Sequence, residues 1–233
     1  MPSCYADGHS PISGKCCQRI SGPESGENDH FYREGAPQYA HSISNDIYVL
    51  CQVKFKIATC PFSASDKDDA CQSGQFSWTG AVRTVAVYCG IRQLKFAEDA
   101  LASALAALDG RSDYAIPAGE LSVALLDDGT LQIMHGKFLG DPEPTDVITF
   151  PGDPAEDFAG EICISVDCAV RCTRERCMDL SEELTLYLVH GWLHLAGLSD
   201  GTAAEAAAMR AAEAHLMDFL RNCALIPQFS FAQ

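Results

Sequence analysis

Residues 181–200 constrain the fold more than any other part of the chain, and they read SEELTLYLVHGWLHLAGLSD. Asp179 followed by Glu182 resembles an N-terminal capping box, which predicts a helix that begins near Asp179 or Ser181. Apolar residues cover most of the surface of this helix, at Leu184, Leu188, Val189, Trp192, Leu193 and Leu195. A helix that is apolar nearly all round is expected to lie inside the core of its domain.

Two histidines interrupt this apolar helix four residues apart, at His190 and His194. Side chains at that spacing lie on one face, so both imidazoles can reach one zinc ion. Gly197 permits the chain to turn back and deliver Asp200 as a third ligand. Three protein ligands leave a position open for a water nucleophile, which is typical of catalytic zinc. We therefore expect one Zn²⁺ per chain at His190, His194 and Asp200.

The sequence leaves two other interpretations of the histidine pair open. The imidazoles could be packed core residues whose nitrogens bond elsewhere, although burial of two such rings without partners is costly. The helix could also belong to a zinc protease, whose H-E-x-x-H motif has a glutamate general base directly after the first histidine. This chain has Gly191 at that position, so a protease of this type would lack its base.

Regular apolar periodicity extends from Val82 to about Leu220 and predicts an α/β (α+β) domain, in which one small mixed sheet is covered by helices. Strands are predicted at Val82–Tyr88, Glu120–Leu126, Asp146–Phe150 and Glu161–Val166. Helices are predicted at Leu94–Leu108 before Gly110, at Leu131–Phe138, around Cys168–Cys177, at the histidine segment, and from about Thr202 to Arg221.

The first 80 residues differ from this domain, because they are rich in Gly, Ser, Pro and Asp. We interpret residues 1–80 as a disordered extension, or as the product of a start assigned upstream of a true start at Val82 or Val85. The domain is then expected at 81–223, followed by a tail at 224–233. Of the seven cysteines before residue 90, none lies at the two-residue spacing of a zinc knuckle. Without an export signal, the 12 cysteines of the chain are expected to be reduced thiols.

Charge and hydropathy limit the partners of the chain. The formal net charge is -16 and the sequence pI is near 4.6, so the surface as a whole repels polyanions. A nucleic acid would have to bind at a local patch or through the metal. No stretch approaches the ~20 apolar residues of a membrane-spanning helix, and no signal peptide is recognisable. We therefore expect a cytoplasmic protein without a membrane partner.

Three segments carry a resemblance to a known family. HGWLHLAGLSD, followed by Met209 and Glu213, resembles the signature H-G-x-L-H-L-x-G-Y-D-H with a later M-x-x-x-E of the YbeY endoribonucleases. PTDVITFP at 144–151 is similar to their P-T-D-V-L-S-F-P, and GEICIS at 160–165 to their G-D-I-x-I-S strand. The resemblance covers about residues 82–222, with the segments in the family's order.

The resemblance implies a zinc-dependent, single-strand-specific endoribonuclease that matures the 3′ end of 16S ribosomal RNA and acts in ribosome biogenesis with the small subunit. It makes His190 and His194 the first two zinc ligands and puts Asp200 where the family has a third histidine. A carboxylate is an acceptable replacement. Two alternatives stay open: a zinc hydrolase, protease-like, on a substrate other than RNA, and a ribosome assembly factor without catalysis.

A second departure from the family lies in the loop before PTDVITFP. Members usually carry an arginine before the glycine of this loop, which is thought to contact RNA phosphate, whereas this chain has Leu139. Asp141 and Glu143 add negative charge to the same loop. Either Lys137 or His135 binds the phosphate in its place, or the chain cleaves RNA poorly. His135 could equally be an exposed helix residue.

Two further groups of residues have both a functional and a structural interpretation. Thr145 and Asp146 could position the strand beside the metal and the substrate, or they could form a turn through bonds to nearby backbone amides. Arg171, Arg174 and Arg176 could line an RNA path or form a solvated helix face. The thiols on that same helix are expected to be buried or partly exposed, at Cys168, Cys172 and Cys177.

Overall fold

The computed structural model describes residues 17–19, 83–111, 113–141 and 143–232. The strands are β1 (Cys17–Arg19), β2 (Val85–Cys89), β3 (Leu94–Lys95), β4 (Glu120–Leu126), β5 (Val147–Pro151), β6 (Phe158–Ser165) and β7 (Ser230–Phe231). The helices are α1 (Glu98–Asp109), α2 (Asp128–Leu139), α3 (Val166–Arg176), α4 (Leu180–Leu195) and α5 (Ala203–Asn222), with a short 3₁₀ turn at Pro154–Glu156.

Five of the strands form one mixed sheet in the order β1-β5-β6-β4-β2. Strand β5 runs antiparallel to β6, and the other neighbours are parallel. Strands β3 and β7 form a separate antiparallel pair. The small mixed sheet covered by helices that the sequence predicts is therefore confirmed.

The sheet buries both faces, and alternation along β5 separates them. Val147 and Thr149 face α4, on the side of the main core, where Trp192 and Tyr187 are fully buried. Ile148 lies on the opposite face, in a smaller apolar cluster with residues of α2. Strand β5 thus has the histidine helix on one side and α2 on the other.

Gly191 allows α4 to pack closely on the sheet. A Cβ atom at this position would lie 2.6 Å from Cγ2 of Ile162, 3.2 Å from Cγ2 of Thr149 and 3.3 Å from Cγ1 of Val147. A contact as short as the first forces neighbouring atoms to move. The close packing of α4 against β5 and β6 therefore explains why a glycine lies between His190 and His194.

The helix predicted at Leu94–Leu108 is wrong at its beginning. Leu94–Lys95 form strand β3, and α1 begins only at Glu98. Ala97 occupies the N-cap without a side-chain cap bond, so the sequence carries no signal for the true start. The other predicted elements occur in the predicted order, with bounds that shift by a few residues; α2, for example, begins at Asp128 instead of Leu131.

The ends of the chain relate differently to the domain. The disorder expected for residues 1–80 lies outside the described residues, apart from the short strand β1. In the segment set apart as a tail, Phe229 is buried and β7 pairs with β3, so this segment packs on the domain. None of the six cysteines between residues 89 and 223 forms a disulfide bond within the described part of the chain. None of the helices in the described part combines the length and apolar character needed to cross a membrane.

Candidate metal centre

Helix α4, which carries both histidines, is stabilised at its N-terminus by a side-chain cap. Asp179 is the N-cap, and its side chain accepts hydrogen bonds from the backbone amides of Ser181 and Glu182. The predicted second half of the capping box does not form, because Glu182 accepts charge-assisted bonds from Arg221 on α5 instead. The pair ties the first turn of α4 to the last turn of α5.

His190 and His194 lie in the C-terminal half of α4 and are 2% and 1% exposed. Their Nε2 atoms are 2.9 Å apart. The Nδ1 atom of His190 lies 2.5 Å from Oε1 of Glu213, and that of His194 lies 3.0 Å from the carbonyl oxygen of Leu198. Each imidazole is thus held from behind by an oxygen acceptor.

These acceptors fix where the ring protons reside. The oxygens of Glu213 and Leu198 can only accept, so Nδ1 of each histidine donates. In the neutral rings both Nε2 atoms then carry lone pairs, and they face each other at 2.9 Å. Two facing lone pairs repel unless a positive charge lies between them, so the arrangement fits a metal cation or a shared proton.

Asp200 completes the group from the loop after α4. Gly197, with φ of 99°, turns the chain in the left-handed region and brings Asp200 back to the histidines. Its Oδ2 lies 4.0 Å from Nε2 of His190 and its Oδ1 3.9 Å from Nε2 of His194. Ligands about 2.1 Å from a tetrahedral zinc lie about 3.4 Å apart. The distance between the two Nε2 atoms, 2.9 Å, is shorter than this value, and the distances to Asp200, 3.9 and 4.0 Å, are longer. Small side-chain shifts would bring all three to the zinc geometry, so the three residues fit zinc.

The Asp200 carboxylate is 20% exposed, whereas the two histidine side chains are 3% and 1% exposed. The group is therefore buried on the protein side and open toward solvent beside Asp200. An open side is what a fourth, exchangeable ligand requires. Across the described ranges, no other group of three or more His, Cys, Asp or Glu side chains converges as closely.

Glu213 is the residue of this centre whose role the sequence interpretation missed, since it named Glu213 only within the family signature. Its carboxylate is mostly buried on α5 and contacts His190. Met209, four residues earlier on the same face, is fully buried. This spacing indicates a face directed inward, but the sequence cannot tell which residue that face meets. A carboxylate behind a zinc-binding imidazole orients the ring and raises its basicity.

His135 is not the exposed helix residue that one interpretation predicted. It is 2% exposed, and its Nδ1 donates to the carbonyl oxygen of Glu143 at 2.7 Å. Its Nε2 is buried and has no hydrogen-bond partner among the described residues. His135 follows Leu131 by four residues on the inner face of α2, which is the signal that could have indicated burial.

Lys137 lies exposed in the last turn of α2, close to where the family arginine would stand. Leu139, which replaces that arginine, packs against the apolar cluster between α2 and the sheet. Gly140 then ends the helix in a left-handed conformation with φ of 71°. The two predicted alternatives to the arginine therefore differ: Lys137 is accessible to a phosphate and His135 is enclosed.

Thr145 and Asp146 are both buried at the start of β5. Oδ1 of Asp146 accepts from the backbone amide of Val147 at 2.9 Å, and the Thr145 hydroxyl lies 3.4 Å from the carbonyl oxygen of Val147. These are the local backbone contacts expected of turn chemistry. Burial raises the pKa of Asp146 to about 8, and the nearby acidic groups of Cys168 and Glu183 act in the same direction.

The basic cluster on α3 is largely engaged within the protein. Arg171 forms an ion pair with Asp128, and Arg176 lies 3.9 Å from the buried carboxylate of Glu183. Arg174 is exposed. Two of the thiols follow the expectation, because Cys168 is buried and Cys172 is partly exposed. The expectation is wrong for Cys177, which is exposed at the C-cap of α3. The paired arginines favour the interpretation of this helix face as structural.

Comparison with known proteins supports the resemblance seen in the sequence. A family model described as "Endoribonuclease YbeY" matches residues 90–221. A protein of that name from Syntrophotalea carbinolica is 36% identical over 119 residues, which are 48% of this chain and 79% of that protein. One from Chlamydia abortus is 35% identical over 117 residues, or 47% of this chain and 74% of that protein.

One solved structure is also similar to this chain, a solution structure from Thermotoga maritima. It shares 22% sequence identity and has a TM-score of 0.39. The match covers 59% of this chain and 92% of the other.

Proposed function

This chain belongs to the YbeY endoribonuclease family, and from that premise we propose that it is a zinc-dependent endoribonuclease that cleaves single-stranded RNA. The observation that carries the proposal is the pair of Nε2 atoms 2.9 Å apart, with the Asp200 carboxylate about 4 Å from each. Catalytic zinc sites use such sets of three ligands. We further propose that it matures the 3′ end of 16S ribosomal RNA with the small subunit, and this part of the proposal is supported by the family resemblance alone.

In this proposal His190, His194 and Asp200 hold the metal. A bound zinc ion would act as a Lewis acid that polarises a phosphoryl oxygen and acidifies a water molecule. The chain orients both imidazoles, through Glu213 behind His190 and the Leu198 carbonyl behind His194. Asp200 leaves the solvent side accessible, so a substrate can approach the centre there.

A protease-like activity lacks its usual general base in this fold. The H-E-x-x-H enzymes carry a glutamate where this chain has Gly191, and a Cβ there would already lie 2.6 Å from Ile162. A glutamate side chain therefore has no room at this position. This favours a phosphodiester substrate over a peptide, although the net charge of -16 opposes any polyanion away from local patches.

We assign substrate binding to the end of α2 and the start of β5. Lys137 is exposed and is the residue available to bind a phosphate. His135, Thr145 and Asp146 are buried, so we propose that they shape this region and do not contact RNA directly. In this arrangement Lys137 takes over part of the task of the arginine that Leu139 replaces.

The proposal is tested with the purified full-length chain loaded with zinc. The substrates are a single-stranded RNA, the duplex of the same sequence, and casein. Wild type and His215→Ala should cleave the single strand, because His215 is an exposed residue of α5 beside Asp113. His194→Ala should lose nearly all activity. Cleavage of casein but not RNA, or unchanged RNA cleavage by His194→Ala, would overturn the proposal.

The ribosomal part of the proposal needs a separate measurement. Precursor 16S RNA within isolated small subunits is incubated with the zinc-loaded chain, and the 3′ ends are mapped. The proposal expects mature 3′ ends with wild type and none with His194→Ala. Cleavage of naked RNA together with unprocessed 3′ ends in the subunits would keep the nuclease and reject this substrate.

A further inference from the structure

An aromatic patch lies at the end of α2, and we define it as Phe138, Phe150 and Lys137. Phe138 is 42% exposed, so part of its ring is accessible to solvent. Its ring packs edge to face with Phe150 of β5, with centroids 5.2 Å apart and an interplanar angle of 79°. Nζ of Lys137 lies 5.5 Å from the Phe138 centroid. The patch thus combines an exposed aromatic ring with a cation.

The Phe138 ring is held in place by its contact with Phe150 and by the packing of the adjacent Leu139. Leu139, the next residue, packs with Phe150 against the apolar cluster between α2 and the sheet. The edge-to-face contact adds roughly 0.5–1.5 kcal/mol beyond burial. A fixed, exposed ring loses little conformational entropy when a second planar group stacks on it. The patch is therefore suited to bind a flat ligand.

The patch and the metal centre lie on opposite faces of the same strand. Phe150 is on the face of β5 that meets α2, whereas Thr149 faces Gly191, the residue after His190. Successive residues of a strand point to opposite faces, so one strand separates the two sites. A ligand bound at both must be a chain longer than one nucleotide.

We propose that Phe138 is a stacking platform for an unpaired base of the RNA substrate, with Lys137 binding an adjacent phosphate. The proposal rests on the proposed function and deepens it. Proteins that bind single strands combine exposed aromatic rings with basic side chains, because every base offers a flat face and every nucleotide a phosphate. Bases in a duplex stack on each other, so the platform selects single strands.

Charge supports a phosphate at this patch. Lys137 forms no ion pair with any residue in the described part of the chain, whereas Arg171 and Arg221 do. Asp141, in the loop after the patch, accepts a bond from the backbone amide of Glu143. Because Lys137 needs no internal partner, a phosphate can bind it without breaking an existing ion pair.

Binding of a 2′-O-methyl oligonucleotide tests the proposal, since this backbone resists cleavage and the zinc-loaded chain can be used. An oligonucleotide of the same length with abasic sites serves as the second probe. Phe138→Ala should bind the complete oligonucleotide about 5- to 100-fold more weakly than wild type. Both proteins should bind the abasic probe equally. Phe138→Trp should bind as tightly as wild type or more tightly.

Ile133→Ala is the matched control, because Ile133 is 62% exposed on the same helix and is not part of the patch. It should bind both probes as wild type does. Lys137→Ala should weaken both probes and reduce the salt dependence of binding. In the cleavage assay Phe138→Ala should raise KM more than it lowers kcat, since the platform is separated from the reacting centre.

Equal binding of the complete oligonucleotide by wild type and Phe138→Ala would overturn the stacking platform, and so would failure of Phe138→Trp to restore binding. A loss of affinity for both probes in Phe138→Ala would reassign the ring to a structural role and reject the proposal. These results leave the cleavage by wild type and its loss in His194→Ala untouched. If wild type binds neither probe and cleaves no RNA, the proposed function fails as well.

Discussion

At the scale of single residues, the charge of Glu213 supports the proposed zinc site from behind. Its carboxylate lies 2.5 Å from Nδ1 of His190. Glu213→Gln keeps an oxygen acceptor but removes the charge, so zinc should bind about 10-fold more weakly, and Glu213→Ala should lose about 100-fold. Competition with a chelator of known affinity measures both. Glu175→Gln, an exposed residue of α3, is the control, and equal affinities in all four proteins would contradict this role.

The effect of a substitution at Gly191 on stability should be determined by the space available and not by helix propensity. In an exposed helix, replacement of glycine by alanine stabilises by up to about 1 kcal/mol. At Gly191 the new Cβ would lie 2.6 Å from Ile162, so Gly191→Ala should lower the free energy of unfolding by about 1–3 kcal/mol. Urea unfolding measures the difference.

Gly129→Ala provides the comparison, because Gly129 is an exposed residue in the first turn of α2. A Cβ there would meet only the side-chain oxygen of Asp127, at 3.2 Å. Its stability should stay within about 0.5 kcal/mol of wild type. If Gly191→Ala were as stable as Gly129→Ala, close packing of α4 on the sheet would not be the reason for the glycine.

At the scale of elements, the start of β5 should make stability depend on pH. Burial raises the pKa of Asp146 to about 8, whereas an unfolded aspartate has a pKa near ~3.9. Between these values the folded chain keeps a proton that the unfolded chain has lost. The free energy of unfolding should therefore fall as the pH rises from about 4 to about 8. Glu161, whose pKa burial raises to about 7, acts in the same direction.

Asp146→Asn should make this fall shallower, because the amide can still accept from Val147 but cannot ionise. Urea unfolding at pH 5 and pH 8, with chelator present throughout, compares the slopes. Asp157→Asn is the control, since Asp157 is exposed and asparagine tolerates its φ of 56°. A slope in Asp146→Asn as steep as in wild type would contradict the burial argument.

Elements were predictable from the sequence where one strong pattern determined them. The mostly apolar run at Glu120–Leu126 predicts β4 residue for residue, because a strand buried on both faces needs no alternation of polar residues. Helix α5 begins at the predicted place, since Thr202 and Glu205 form a complete capping box. The start of α1 was not predictable, because Leu94 continues the apolar spacing while its backbone pairs with Phe231, far away in sequence.

The same limit applies to the metal centre. The spacing of His190 and His194 predicts that both lie on one face, and they do, but the contact with Glu213 depends on how α5 crosses α4. The burial of His135 likewise depends on α2 lying flat on the sheet. Spacing along a helix is local information, whereas these contacts are set by the packing of elements.

In the molecule as a whole, the net negative charge opposes the binding of RNA, whereas the metal centre and nearby cations favour it. The net charge of -16 repels polyanions, so affinity must come from the metal centre and from exposed cations such as Lys137. Salt weakens both the repulsion between the acidic surface and RNA and the attraction between Lys137 and a phosphate, because it screens charges that are apart. Cleavage of RNA by this chain therefore depends first on whether the metal centre binds zinc.

The zinc content of the purified protein shows whether this centre binds the metal. The full-length chain, with His190→Ala, Asp200→Ala and the exposed control His215→Ala, is supplied with zinc, freed of excess metal, and measured by elemental analysis. We expect about one zinc per chain in wild type and His215→Ala, and loss of zinc in the other two variants. A wild type without zinc, or His190→Ala and Asp200→Ala with a full complement, would contradict this expectation.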